Sequence, residues 1–334
     1  MSNILGNKNS FGIIENEGVI PVIDNGFQNC LFTIGIPTFK RVEDLKEALD
    51  SVYSQLGDIK YNVLVVDNNP DRNDETETFL QTSYSHKAFF SYYKNSENIG
   101  MAGNWNRLFQ LVHTPYLIML HDDDYLFSSF LIYIDSLLKH VPNAAVINSK
   151  KVLWNGHLRA KSTPVSCPRS YICHSINTNL FSFETKAPSG CLFRVEDVIK
   201  MGGFDSETYP SIDYVAILKL LFAGKTIITT TDNLMLYRQV DNASCKESTI
   251  RQWIKMEYDL KTELSIILKF DNVRKRYLLS HTIKYWLYCL KTQYSIKESY
   301  KGIKCGGRLF IIYFIIFQFF YQRVYINHVK RVRI

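Results

Sequence analysis

Three things are missing from this chain of 334 residues: a long apolar run, a paired cysteine motif and a glycine-rich phosphate loop. The apolar stretch Leu309 to Tyr321 (LFIIYFIIFQFFY) covers thirteen residues. As a helix it would reach roughly 20 Å against a hydrocarbon core of roughly 30 Å, which excludes a clean single membrane span. The seven cysteines are odd in number and scattered, with no C-x-x-C pair. Neither a thiolate zinc site nor a disulfide framework is indicated, and a reducing compartment fits. With neither G-x-G-x-x-G nor G-x-x-x-x-G-K-[ST], dinucleotide and Walker-type binding are disfavoured. Residues Met1 to Asn29 lack the basic start and apolar core of a secretory signal, so the catalytic part is expected in the cytoplasm.

What is present is a globular composition, 46% hydrophobic and 14% aromatic, enough for one large core with or without a smaller appendage. The net charge of +7 is unevenly spread. Residues from Lys246 onward hold 18 Lys and Arg against 6 Asp and Glu, whereas the preceding 245 hold 21 against 26. A mildly acidic body thus carries a strongly basic tail, and such a tail meets phosphate-bearing partners, either anionic lipid or nucleic acid.

Along the body, apolar runs alternate with amphipathic segments, which predicts a mainly parallel sheet flanked by helices. Strands are expected at Leu31 to Pro37, Tyr61 to Val66, Phe89 to Tyr93 and Tyr116 to Leu120. Helices are expected at Glu75 to Thr82, Met101 to Leu111 and Phe130 to Lys139. One more, after the first strand, carries Leu45, Ala48, Leu49 and Val52 on one face. After Ala144 to Ile147 the rhythm changes. Asn155-Gly156 suggests a hairpin turn, and Thr163 to Ser175 reads as irregular. Three segments follow: an N-terminal extension (1–29), an α/β domain (30–245) and a helical basic region (246–334).

The most informative motif is His121-Asp122-Asp123-Asp124, at the end of the apolar run YLIML. Three adjacent carboxylates repel one another and are costly to desolvate, so a hard divalent cation bridging a diphosphate would explain the cluster. Oxygen ligation favours Mg²⁺ or Mn²⁺ over zinc. Other polar signals, Pro37-Thr38, Asp67-Asn68-Asn69 and Asn98-Ile99-Gly100, also lie at strand ends, where open α/β sheets bind ligands. Singly, each has an ordinary reading as a turn or a helix start. Their convergence on one mouth favours a site. Further on, Asp213 follows Ser211, a potential N-cap, in the first turn of a helix running to Phe222. It could serve as a base or merely stabilise the helix start.

The ordered series IGIPTFKRVEDLKEALDSVYSQ, VLVVDNN, NSENIGMAGNWN, LIMLHDDDYL, SGCLFRVEDVIKMGGFD, SIDYVAILKLLFAGK and LYRQVDNAS resembles family 2 inverting glycosyltransferases of bacterial polysaccharide and O-antigen synthesis. The resemblance runs from about Leu31 to Ser244 and implies the GT-A nucleotide-sugar-binding fold. It implies nucleotide-binding roles for Pro37, Thr38, Asp67, Asn98 and Gly100, with Asp67 on the base and Asp122 toward the ribose. Asp123 or Asp124 would hold the metal. Asp213 matches the general base, with Ile212 where relatives carry an acid. Gly203, Phe204 and Asp205 would border the acceptor. Arg238 could fork onto the diphosphate or form a surface ion pair, and Val240 stands where many relatives place a His. His121 replaces a usual Asp and is either a packing residue or a ligand.

In the tail, Lys246 to Phe270 and Val273 to Leu290 look helical, and Leu309 to Tyr321 is flanked by Arg308 and Arg323 with Lys330, Arg331 and Arg333 beyond. An interfacial membrane helix is expected, a buried core helix being the alternative. The expectation is a metal-dependent enzyme, peripheral on the inner face of the cytoplasmic membrane, that uses a nucleotide-sugar donor, UDP-linked, and a lipid-linked saccharide acceptor, without nucleic acid. A non-catalytic binder on the same fold and a nucleotidyltransferase are the rival classes.

Overall fold

The computed structural model describes residues 5–6, 8–154, 167–181, 188–238, 246–294, 299–300, 303–304 and 330–334. The first half alternates strand and helix: β1 (Val19–Asp24), β2 (Phe32–Thr38), α1 (Val42–Tyr53), β3 (Tyr61–Asp67), α2 (Glu75–Tyr84), β4 (Phe90–Asn95), α3 (Gly100–Leu111) and β5 (Tyr116–Met119). Then come β6 (Tyr125–Leu126), α4 (Phe130–His140), β7 (Ala144–Trp154), β8 (Ser170–Cys173), α5 (Ile176–Phe181), β9 (Cys191–Arg194) and α6 (Val195–Lys200). After a 3₁₀ turn at Ser206–Thr208 follow α7 (Ile212–Phe222), β10 (Thr226–Arg238), α8 (Glu247–Ile267), α9 (Asn272–Tyr294), the short pair β11 (Ser299–Tyr300) and β12 (Ile303–Lys304), and β13 (Lys330–Arg333).

One sheet of eleven strands runs β1-β4-β3-β2-β5-β9-β7-β10-β8-β13, with β6 beside β10. It is mixed. The expected parallel pairing holds for β4-β3-β2-β5 and for β7-β10, whereas β9 runs antiparallel to both its neighbours and β1, β6, β8 and β13 pair antiparallel. Alternate residues of each strand feed two cores. Ile34, Ile36, Val63, Val65 and Ile118 meet the buried face of α1, where Leu45, Ala48, Leu49 and Val52 are fully covered. Leu64, Val66, Leu117 and Met119 face α3, α6 and α7 on the other side.

Several expectations change. Described parts of the segment read as an N-terminal extension belong to the sheet and its packing: Val19–Asp24 forms the sheet edge on β4, and Phe11 and Ile14 enter the second core. Pro21 lies on that edge strand, where a missing N–H is tolerated. Within the stretch read as irregular, Ser170–Cys173 is a strand. Lys330, Arg331 and Arg333, read as a basic membrane flank, form β13 on that strand, and Arg331 Nε donates to Ser170 Oγ at 3.2 Å. Asn155-Gly156, Val240 and Leu309 to Tyr321 lie outside the described residues. No helix among the described residues is long and apolar enough to cross a membrane. The pair α8–α9 has its own apolar seam, with Ile250, Ile254, Ile283, Leu287 and Leu290, and Leu260, Leu264 and Leu278 join it to Val215 and Leu218 of α7.

Candidate active site

The parallel strands β4, β3, β2 and β5 present their carboxyl ends to a cavity of about 440 Å³. Of the residues singled out in the sequence, Pro37, Thr38, Asn98, Gly100, Asp122, Asp123 and Asp213 line it, together with His121, Arg41, Asn68 and Trp105. The wall on the far side comes from Tyr209, Pro210 and Ile212 and from Thr249 and Trp253 of α8.

The cavity wall at Asn68, Asn98 and Gly100 is held by amides. Asn68 Nδ2 donates to Asn98 Oδ1 at 2.7 Å, and Gly100 N donates to the same oxygen at 3.0 Å. Gly100 has a φ of +72°, a left-handed backbone that suits glycine where the loop turns into α3. Behind them, Asn95 Nδ2 donates to Asn68 Oδ1 and Asn104 Oδ1, and Arg107 Nε donates to Asn95 Oδ1. Arg107 Nη2 then donates to the carbonyls of Ile14 and Glu17, so the N-terminal segment braces the wall.

Asp67 stands elsewhere than the resemblance implied. It is fully buried, with Oδ1 accepting from Asn69 N and Oδ2 from Tyr92 Oη and Lys94 Nζ, the last two at 2.9 Å. Lys94, on the neighbouring strand and itself fully buried, claims the carboxylate as its counter-charge. Asn68 takes its place on the cavity wall.

At the acidic run, Thr38 Oγ1 donates to Asp122 Oδ2 at 2.8 Å. Burial, with the charge of Asp123 beside them, pushes Asp122 and Asp124 up to about 7. His121 stacks on Trp105 with ring centroids 5.4 Å apart, and burial pushes it down to about 4, leaving a neutral imidazole at pH 7. Ligand atoms of His121, Asp123 and Asp124 lie within 4.8 Å of one another. Buried His121 Nε2 and Asp124 Oδ2 have no hydrogen-bond partner, an arrangement that costs free energy unless a cation fills it. The residues therefore fit a metal, with His121 added to the two aspartates expected from sequence.

Arg238 does not reach the cavity. Its Nη1 and Nη2 donate to Asp44 and Glu47 of α1, both at 2.8 Å, its Nε donates to the Asp123 carbonyl, and its guanidinium carbon Cζ lies 4.7 Å from the centroid of the Trp154 ring. Its backbone N donates to Asp124 Oδ1. It orients the acidic loop from outside, and Arg41 is the guanidinium in the cavity wall.

Asp213 opens to the cavity from the first turn of α7, although protein packs round it closely enough that burial pushes its carboxyl up to about 6. Its Oδ1 accepts from Tyr214 N at 2.8 Å. Ser211 occupies the cap position without capping: its hydroxyl makes no hydrogen bond. Lys151, held below its usual range by burial, exerts its charge on both Asp124 and Asp213.

The expected acceptor border is structural instead. Gly203, at φ +77°, leaves room for Asn106, whose Oδ1 would lie 2.6 Å from an added Cβ. Asn106 bonds both the N–H and the carbonyl of Phe204, which is buried against Trp105. Asp205 caps the 3₁₀ turn through Glu207 N. Sequence reasoning missed Trp253, whose Nε1 donates to the Pro210 carbonyl at 3.0 Å while its ring stacks on Trp286 at 4.8 Å. Nothing in a helical aromatic pattern separates a cavity face from a core face.

Comparison with known proteins agrees with this architecture. Residues 33–193 match the model described as Glycosyl transferase family 2. The structure is similar to that of S. aureus TarS 1–349 in complex with UDP-GlcNAc, with a TM-score of 0.54 at 14% identity over 78% of this chain and 73% of that one. It is also similar to the mannosyltransferase PcManGT from Pyrobaculum calidifontis in complex with GDP-Man and Mn²⁺. There the TM-score is 0.52 at 14% identity, over 93% of this chain and 85% of that one. An uncharacterized protein of Haemophilus influenzae is 26% identical over 166 residues, 49% of this chain and 89% of that protein. The matched span holds the amide wall and the acidic run, while Asp213 and α8 lie beyond it: residues 33–193 are similar to the glycosyl transferase family 2 model, and the chain has the mixed α/β fold of GT-A glycosyltransferase structures.

Proposed function

We propose that this chain is an inverting, metal-dependent glycosyltransferase that moves a sugar from a nucleotide sugar, UDP-linked, to a lipid-linked saccharide in cell-surface polysaccharide synthesis. The observation that carries the reading is the convergence of the acidic run and Asp213 on one cavity. The nucleoside would lie along Pro37, Thr38, Asn68 and Asn98, with Asp122 toward the ribose. UDP-GlcNAc and GDP-Man in the similar structures support a nucleotide-sugar donor. His121, Asp123 and Asp124 would hold Mg²⁺ or Mn²⁺, which stabilises charge developing on a departing diphosphate.

Asp213 is the proposed base. A carboxyl pushed up to about 6 is still ionised at pH 7 yet is a stronger proton acceptor than an ordinary carboxylate. It takes the proton of the acceptor hydroxyl as that oxygen attacks the anomeric carbon from the face opposite the diphosphate, inverting the centre. Tyr209, Pro210 and Trp253 flank Asp213 and form the acceptor side in place of residues 203–205. The basic C-terminal region and its apolar stretch support a lipid-confined acceptor on the inner face of the cytoplasmic membrane.

The test is release of nucleoside diphosphate by the full chain across a panel of UDP- and GDP-sugars, with a lipid diphosphate saccharide as acceptor and either Mn²⁺ or excess EDTA. Release is expected with at least one donor, only with metal, and lost in Asp123→Ala combined with Asp124→Ala. Full activity in EDTA contradicts the metal-dependent reading.

A further inference from the structure

Asp123 is wanted by two cations. It belongs to the three-residue cluster that fits a metal, yet Arg41 Nη1 already donates to its Oδ2 at 2.7 Å and stands 3.9 Å from Asp122 Oδ1. The other two ligands are uncommitted at the relevant atoms, since His121 Nε2 and Asp124 Oδ2 have no hydrogen-bond partner. Arg41 differs from Arg238 in having room to move. Its side chain is 40% exposed and lines the cavity, whereas Arg238 is 16% exposed and pinned by two acids of α1. A guanidinium released from a carboxylate beside a diphosphate finds a second anion of matching fork geometry.

We propose that Arg41 occupies Asp123 in the ligand-free chain and passes its fork to the donor diphosphate when a divalent cation takes the carboxylate. This inference rests on the glycosyltransferase reading above. Arg41 therefore opposes binding of the cation alone and favours binding of the diphosphate. The two effects make cation and diphosphate binding cooperative, and linkage requires that each raise the affinity of the other by the same factor. The cavity would then hold little cation without donor.

The experiment uses the full chain, its Arg41→Gln and Arg41→Lys variants, and three probes: Mn²⁺ alone, UDP in saturating Mn²⁺, and inorganic pyrophosphate in saturating Mn²⁺. Mn²⁺ is followed by the loss of its free electron paramagnetic resonance signal, the anions by calorimetry. Gln keeps the Leu45 N to Arg41 carbonyl bond that starts α1, since that contact is main-chain. Arg41→Gln should bind Mn²⁺ alone roughly fivefold more tightly, the value of a partly exposed ion pair removed. It should bind UDP and pyrophosphate each roughly tenfold more weakly, with Arg41→Lys between the two. Opposite signs for cation and anion support the proposal. An unchanged or weakened Mn²⁺ affinity, or a loss for UDP that pyrophosphate does not share, overturns it while leaving the glycosyltransferase reading in place. A wild-type chain that binds neither Mn²⁺ nor UDP overturns both.

Discussion

Arg238 N donates to Asp124 Oδ1 at 2.9 Å, and this bond ties the end of β10 to the acidic loop after β5. The guanidinium of the same residue secures the loop to α1 through Asp44 and Glu47. Arg238→Met keeps the main-chain bond and removes the fork. It should weaken Mn²⁺ binding by roughly tenfold through misplacement of Asp123 and Asp124, with a loss of about 1–3 kcal/mol in stability. Arg238→Lys should recover little, because a single ammonium is a point charge and cannot span partners that Arg238 reaches with Nε, Nη1 and Nη2 of one planar fork. Unchanged Mn²⁺ affinity in Arg238→Met would remove its positioning role.

Asp213 sets a pH dependence whose sign follows from its upward shift to about 6. As the proposed base, Asp213 would work ionised, so kcat/KM should fall as pH drops below about 6, not near 4 as for an ordinary carboxylate. Asp213→Asn should lower turnover by roughly 10²-fold or more and flatten that limb while donor binding persists. A limb that survives the substitution assigns the base to another group.

The same shift predicts a change in stability. A carboxyl raised in the folded state contributes no penalty below its unfolded value near 4, loses stability as pH rises between 4 and 6, and carries the full cost above. Asp213→Asn should therefore stabilise the chain at pH 7.5, by on the order of 3 kcal/mol at most, and make no difference at pH 3.5. Denaturant unfolding at the two pH values checks this.

Lys94 and Asp67 form a fully buried pair with Asp74 and Glu77 close by. Lys94→Met leaves carboxylates buried without their cation and should cost about 3–5 kcal/mol. Adding Asp67→Asn should restore part of that loss, which a double-mutant cycle in urea measures. Strictly additive losses would show that the two side chains do not depend on each other.

Membrane attachment is predicted from the tail's charge. The full chain should sediment with anionic vesicles, only partly released by high salt, because Lys and Arg contribute about 1 kcal/mol each and are screened whereas apolar burial is not. Truncation after Tyr300 retains α8, α9 and Trp253 and should abolish sedimentation. The cut also strips β13 from β8, so circular dichroism must show a folded variant for its sedimentation to count. A folded truncate that still sediments moves the membrane contact elsewhere.

The elements best legible in the sequence were those with a clear apolar period. The four-residue face of α1 and the strands β2, β3 and β5 were found within one residue or so at each end. Ends drifted where polar residues were buried in pairs: Lys94 and Asn95 extend β4 because Asp67, Asn68 and Asn104 satisfy them, which no apolar count reveals. β1 was hidden by Pro21 and by acidic and Asn-rich surroundings. Among site residues, the acidic run and Asp213 were visible as chemistry, yet the orientation of a side chain was not. Asp67 and Arg238 both carry the right charge and both spend it on neighbours, Lys94 in one case and Asp44 with Glu47 in the other. Arg41, adjacent to the first strand end, was overlooked because one basic residue beside another looks like ordinary surface.

The proposed reaction is a single displacement in which Asp213 would deprotonate the acceptor while the diphosphate leaves from the opposite face. Proton nuclear magnetic resonance of the first product, formed from the active α-linked nucleotide sugar and a short acceptor analogue, reads that outcome directly. A β-linked product, from its anomeric coupling, is the result predicted for a gluco- or galacto-configured donor, and an α-linked first product would contradict the mechanism.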